Sequence, residues 1–196
     1  MPKSEKVNKD ARKERANISI FTGLQRPQFQ TYYDEEFLME HRFENGRGFP
    51  PSYIDYVKTL GYGRLCGLWS IHIPLGDHPD SWLHRYHDWR SWFDDLLESE
   101  EVLQKAALEP DGFPELLEHA VPFAFSEEND LLVWDIQSPD EWGEFPIYAF
   151  NLRTWGNFRY AAPDLYSFVE ALLDAERVKS ILGTHRTSFP YTFEPF

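Results

Sequence analysis

Several groups of residues have types and spacings that could carry chemistry. His84, His87 and Asp88 stand at i, i+3 and i+4 of a helical stretch, with Asp77 and His78 just upstream. That spacing brings two imidazoles and a carboxylate to one helix face, as a metal site requires. The chain has no HExxH pattern and only one cysteine. Exposed helix histidines among tryptophans are the commoner reading, so no metal and no cofactor is expected. Gly61-Tyr62-Gly63-Arg64 has the look of a phosphate loop, but it follows a helix and precedes a strand. A dinucleotide fingerprint needs the reverse order. Cys66 falls in a predicted buried strand, where a thiol is a core group rather than a nucleophile. Glu127, Glu128 and Asp130 crowd one turn, with Asp135 near in sequence. Paired carboxylates can do acid–base work, yet a solvated hairpin turn is the default and partner contact the stronger alternative. No residue is assigned a catalytic role, and the chain reads as a non-enzyme.

Charge points the same way. The net charge is −14, unevenly placed. Residues 1–16 hold six Lys and Arg against three acids, whereas the segment from Asp88 to Glu144 holds 17 acids and two bases, Arg90 and Lys105. Such a surface repels phosphates and argues against nucleic acid as a partner. It favours a basic protein, because a field of one sign steers association; acidity that only maintains solubility is the plain alternative. The candidate acids are Asp94, Asp95, Glu98, Glu100 and Glu101, late in a predicted helix where they oppose its dipole, together with Glu127, Glu128 and Asp130. Most of the seven tryptophans are core by type. Trp92, off the apolar stripe, and Trp142, in a polar loop, are candidates for an exposed anchor.

These residues need elements to position them. The chain is organised around residues 49–73. Pro50 and Pro51 open a helix, since proline's missing N–H costs nothing in the first turn. Tyr53, Tyr56, Val57 and Leu60 form its apolar stripe, Gly61 caps it, and residues 65–73 read as a strand. Residues 32–43 read as an earlier helix, with Asp34, Glu35 and Glu36 in the first turn. A long helix is expected over 82–107, capped by Asp80 or Ser81, with Trp82, Tyr86, Trp89, Phe93, Leu96 and Leu97 on its apolar face. A short helix over 114–119 follows. Strands are expected over 121–125, 131–136, 146–152 and 158–161, with turns at 126–130 and 154–157. A closing helix runs from Pro163 to Leu182, capped by Gly183. Residues 1–17 read as a flexible basic arm, 18–183 as one domain, and 184–196 as an aromatic tail packed on it. The order gives an α+β class, a mostly antiparallel sheet flanked by helices. No apolar run approaches the roughly 18–20 residues of a membrane span, no secretory signal is evident, and a lone cysteine fits a reducing compartment. A cytoplasmic protein is expected.

Three blocks carry a family resemblance. FPPSYIDYVKTLGYGRLCGL resembles the opening motif of the SUKH superfamily, which takes in Syd and the fungal regulators of cell-wall glucan synthesis. Pro51, Tyr53 and Tyr56 stand in its helix part, and Gly61, Gly63 and Leu65 in its turn and strand. VPFAFSEENDLLVWDI resembles the family hairpin, with Pro122, Phe123, Ala124, Asn129, Asp130, Trp134 and Asp135 in matching places. PIYAF followed by DLYSFVEALL resembles the closing segment. The resemblance spans roughly residues 30–175. It departs where the usual glycine before Asp130 is missing and where the tryptophan-bearing helix is longer than the family core. The resemblance implies an α+β fold. It also implies a role, since many bacterial members are immunity proteins that bind and neutralise a cognate toxin of a polymorphic or contact-dependent system. A regulatory scaffold of cellular protein–protein contacts, as in the fungal members, is the alternative.

Overall fold

The computed structural model describes residues 19–98, 108, 110–153, 156–183 and 189–196. Seven strands form one antiparallel sheet: β1 (Gly63–Leu65), β2 (Trp69–Ile71), β3 (Ala120–Ser126), β4 (Asp130–Asp135), β5 (Ile147–Asn151), β6 (Gly156–Ala162) and β7 (Phe193–Pro195). Their spatial order is β6-β5-β4-β3-β2-β1-β7. The helices are α1 (Glu35–Glu40), α2 (Pro51–Leu60), α3 (Trp82–Glu98), α4 (Pro114–His119), α5 (Leu165–Leu172) and α6 (Ala175–Leu182), with a 3-10 turn at Ile20–Gly23. The class is α+β, as the element order predicts.

Both faces of the sheet are covered, which explains why β4 reads as an unbroken apolar run. Side chains alternate along a strand. Leu132 and Trp134 enter the larger core with Tyr53 and Val57 of α2 and with Phe168 and Leu172 of α5. Leu131 and Val133 enter a second core on the other face, with Phe93 of α3, Leu116 and Leu117 of α4, Phe150 and Phe158. Aromatic rings fill the larger core: Phe123 stacks on Trp134 with centroids 4.0 Å apart, and Phe49 meets Trp82 edge-on at 4.9 Å.

Three expectations change. Residues 65–73 form a hairpin rather than one strand. Cys66 and Gly67 take φ of 53° and 66°, and the Leu68 N–H donates to the Leu65 carbonyl. Positive φ at both central residues is the turn geometry that joins twisted antiparallel strands. The closing helix is two helices, because the Asp174 carboxylate accepts from the N–H groups of Glu176 and Arg177 and starts α6 afresh. The first helix shrinks to Glu35–Glu40, capped by the Asp34 carboxylate on the Phe37 N–H. The long helix is described as far as Glu98; residues 99–107 of its expected span lie outside the described residues, as do the arm over 1–17, the turn residues 154 and 155, and residues 184–188 of the tail.

The β3–β4 turn closes at Asn129, which takes φ 68°, a left-handed conformation asparagine tolerates. Each sheet edge is met by one residue from outside the sheet, which interrupts the row of open backbone groups there. On β6, Asp111 donates its N–H to the Phe158 carbonyl and accepts from the Tyr160 N–H. On β7, the Phe193 N–H donates to Gln25 and the Gln25 N–H to Tyr191. Phe189 and Phe193 of the tail are buried, whereas Phe196 is exposed.

Candidate protein-binding surface

α3 and α4 lie on one face of the sheet. α3 buries Trp82 and Phe93 and half-buries Trp89 and Trp92 against the second core. Its outer side carries Asp88, Asp94, Asp95 and Glu98, all exposed. α4 has proline in its first turn and buries Leu116 and Leu117, which turns Glu115 and Glu118 outward. Arg90 ties the two helices. Its guanidinium donates to the Leu117 carbonyl at 2.9 Å, where α4 ends, and to Asp94 at 2.8 and 2.7 Å. Arg85 is the second arginine of α3 and pairs with Asp80 at 2.5 Å and with Asp88 at 3.6 Å; α4 has neither lysine nor arginine. Six carboxylates therefore share an outer surface with two arginines, which pair with Asp88 and Asp94 of the six. Glu100 and Glu101 lie outside the described residues. Trp92 does not stand free: its ring sits 5.3 Å from Phe93 and 5.6 Å from Phe150.

The turn between β3 and β4 is differently placed. Glu127 is exposed but pairs with Arg64 at 2.7 Å, and Arg64 also reaches Glu194 at 3.6 Å. Glu128 is half-buried, and Arg153 lines the same cavity. Asp130, expected on the contact surface, is only 5% exposed. It accepts hydrogen bonds from Ser126 and Asn151, and burial raises its pKa above the usual carboxylate range. The Ser126 hydroxyl in turn accepts from the N–H groups of Glu128 and Asp130. This turn spends much of its charge within the molecule.

Trp142 is 48% exposed at the tip of a braced loop. The Asp140 carboxylate accepts from the N–H groups of Trp142 and Glu144 at 2.8 and 2.9 Å, and the Asp140 N–H donates to the Glu144 carbonyl. Gly143 takes φ 84° to close the turn. Glu144 anchors the loop from within. Its carboxylate accepts from the Ser52 N–H at 2.8 Å and the Ser52 hydroxyl at 2.6 Å, and the same hydroxyl accepts from the Leu165 N–H. One buried acid thus joins this loop to the starts of α2 and α5. Burial pushes its pKa up to about 7, against the pull of the two Ser52 hydrogen bonds; the charges of Asp164 and Asp140 add to the rise.

The other candidate chemistry is placed as follows. His84 contacts the His78 carbonyl at 2.9 Å and His87 lies against the Tyr86 ring. Among the described residues no group of three His, Cys, Asp or Glu side chains could hold a metal ion. Cys66 is buried in the β1–β2 turn, and burial pushes its thiol up to about 12. Gly61 caps α2 with φ 72°. No helix among the described residues is long and apolar enough to cross a membrane.

Sequence reasoning missed Arg90 as a helix-to-helix strut and missed Glu115 and Glu118 as neighbours of the α3 acids. Their signal was the i, i+3 spacing of two acids on a six-residue helix, which gains meaning only once α4 lies beside α3. It also missed Glu144, an acid between Gly143 and Phe145 with no pattern to mark it as buried. Comparison with family models, curated proteins and solved structures gave no significant match to any part of the chain.

Proposed function

We propose that this is a non-enzymatic binding protein of the immunity type, which captures and neutralises a basic toxin through the outer surface of α3 and α4. One observation carries the reading. Asp88, Asp94, Asp95, Glu98, Glu115 and Glu118 are exposed together on adjacent helices that carry two arginines, which pair with Asp88 and Asp94. A surface of one sign attracts a basic partner and sets the speed and salt dependence of association more than its ultimate affinity. The toxin assignment rests on the sequence resemblance to SUKH immunity proteins. The protein would act from the cytoplasm by covering or locking the toxin's working surface, with no chemistry of its own.

A regulatory scaffold is the second reading, and Trp142 favours it. This exposed aromatic sits on a braced loop from another part of the chain than the acidic helices, enough for a second contact. The test is co-purification from the source cells with identification of what is captured. One stoichiometric basic partner whose affinity falls with salt supports the immunity reading. Several unrelated partners, held through Trp142 and indifferent to salt, support the scaffold.

A further inference from the structure

Beside α4, on the sheet face that α4 leaves open, three aromatic side chains form a trough. Tyr148 of β5 and Tyr160 of β6 are cross-strand partners. Their rings are 5.7 Å apart and nearly perpendicular, at 81°. Phe113, the residue that precedes α4, meets Tyr148 at 6.4 Å and 82°. Tyr148 therefore forms the back of the trough and stands at right angles to both other rings. Phe113 and Tyr160 are 37% and 46% exposed. Large apolar rings exposed as a group, rather than singly, mark contact surfaces.

The surroundings are negative. Asp111 reaches the Tyr160 N–H at 2.9 Å, Asp135, itself buried, ends the neighbouring β4, and Glu115 is exposed in the first turn of α4. Burial first, then the charges of Asp135 and Asp111 with the neighbouring Tyr160, hold the Tyr148 phenol above its ordinary value. Aromatic faces attract cations through their quadrupole, and a flat guanidinium can stack on such a face while its N–H groups meet carboxylates.

We infer that the Phe113–Tyr148–Tyr160 trough is a receptor for one arginine side chain of a basic protein partner. The inference rests on the proposed basic-partner reading for its biological occupant, and the acids of α3 and α4, on the same face of the sheet, supply the steering. The occupant is a guanidinium because the exposed rings lie in the negative field of Asp111, Asp135 and Glu115; a neutral chain would gain only the rings.

The test titrates the full chain with Nα-acetyl-arginine amide and, in parallel, with its uncharged analogue Nα-acetyl-citrulline amide, followed by NMR. The arginine compound should shift the signals of Phe113, Tyr148 and Tyr160, and the citrulline compound should bind more weakly. Phe113→Ala and Tyr160→Ala should each weaken arginine binding about two- to fivefold, the size of an exposed cation–π contact. An unchanged melting temperature would show that both variants still fold. Equal binding of the two compounds, shifts elsewhere only, or variants that bind like the parent would overturn the trough. Capture of a basic partner with equal affinity by the parent and by Tyr160→Ala would overturn the trough and leave the binding reading intact. A filled trough in a protein that captures no basic partner would do the reverse.

Discussion

Glu144 shows how much one side chain can organise. It is 6% exposed, and it accepts both hydrogen-bonding groups of Ser52. Its pKa rises from 4.5 to about 7 on folding. The folded state therefore binds this proton more tightly than the unfolded chain does. Its contribution is fully favourable below 4.5 and is lost as pH rises to about 7, a swing of about 3 kcal/mol. His72 acts with the opposite sign. Burial lowers it from 6.5 to about 4, so its contribution is present above 6.5 and lost as pH falls toward 4. Glu144→Gln keeps the size and the hydrogen-bonding reach but cannot ionise. Urea unfolding of parent and variant at pH 5 and pH 8 isolates the effect, because His72 is common to both. The variant should gain about 2.5 kcal/mol on the parent over that range. Parallel pH profiles would show that Glu144 does not ionise within it.

At the scale of elements, the sheet is completed from a distance. β7 pairs with β1, and the contact depends on Gly63. A Cβ there would lie 2.3 Å from the Glu194 carbonyl oxygen and 2.5 Å from the Phe193 ring. Gly63→Ala should therefore push β7 off the edge, cost about 1–3 kcal/mol and speed hydrogen exchange at the Phe196 amide, which donates to the Tyr62 carbonyl across this pair; an unaltered exchange rate there would contradict the account. Asp174→Ala removes the cap of α6 and should cost about 1 kcal/mol in urea unfolding, with α5 unaffected. A loss spread over both helices would mean that they form one unit after all.

What the sequence made legible follows from whether the cause was local. The proline start and glycine end of α2, the β3–β4 hairpin and the Gly183 cap are all written in neighbouring residues. The β1–β2 turn is not, because Cys66 is an unusual residue to hold φ 53°. Nor is β7, whose pairing partner lies far along the chain. The break before α6 was hidden by an apolar stripe that continues through it, although Asp174 is a good cap. At the candidate surface, helical spacing put Asp94, Asp95 and Glu98 outward, and all three are exposed. Asp130 and Trp92 carried no local sign of burial. Asp130 goes under with a turn closed by Ser126 and Asn151, and Trp92 meets Phe150 of a strand formed much later in the chain.

For the molecule as a whole, the question is where its negative charge is available. The β3–β4 turn answers Glu127 with Arg64, whereas the α3–α4 surface sets six outward carboxylates against two arginines, paired with Asp88 and Asp94. The most direct test is the affinity for the co-purified partner of the parent, of the Asp95→Lys, Glu98→Lys, Glu118→Lys triple variant, and of Glu127→Lys. Each should be measured at low salt and at about 0.15 M, where exposed charges are screened beyond about 8 Å. The account predicts that the triple variant binds at least roughly tenfold more weakly at low salt. Most of that difference should vanish at higher salt, and Glu127→Lys should stay close to the parent. A triple variant that binds like the parent, or a larger loss from Glu127→Lys, would contradict the α3–α4 surface as the place where the partner docks.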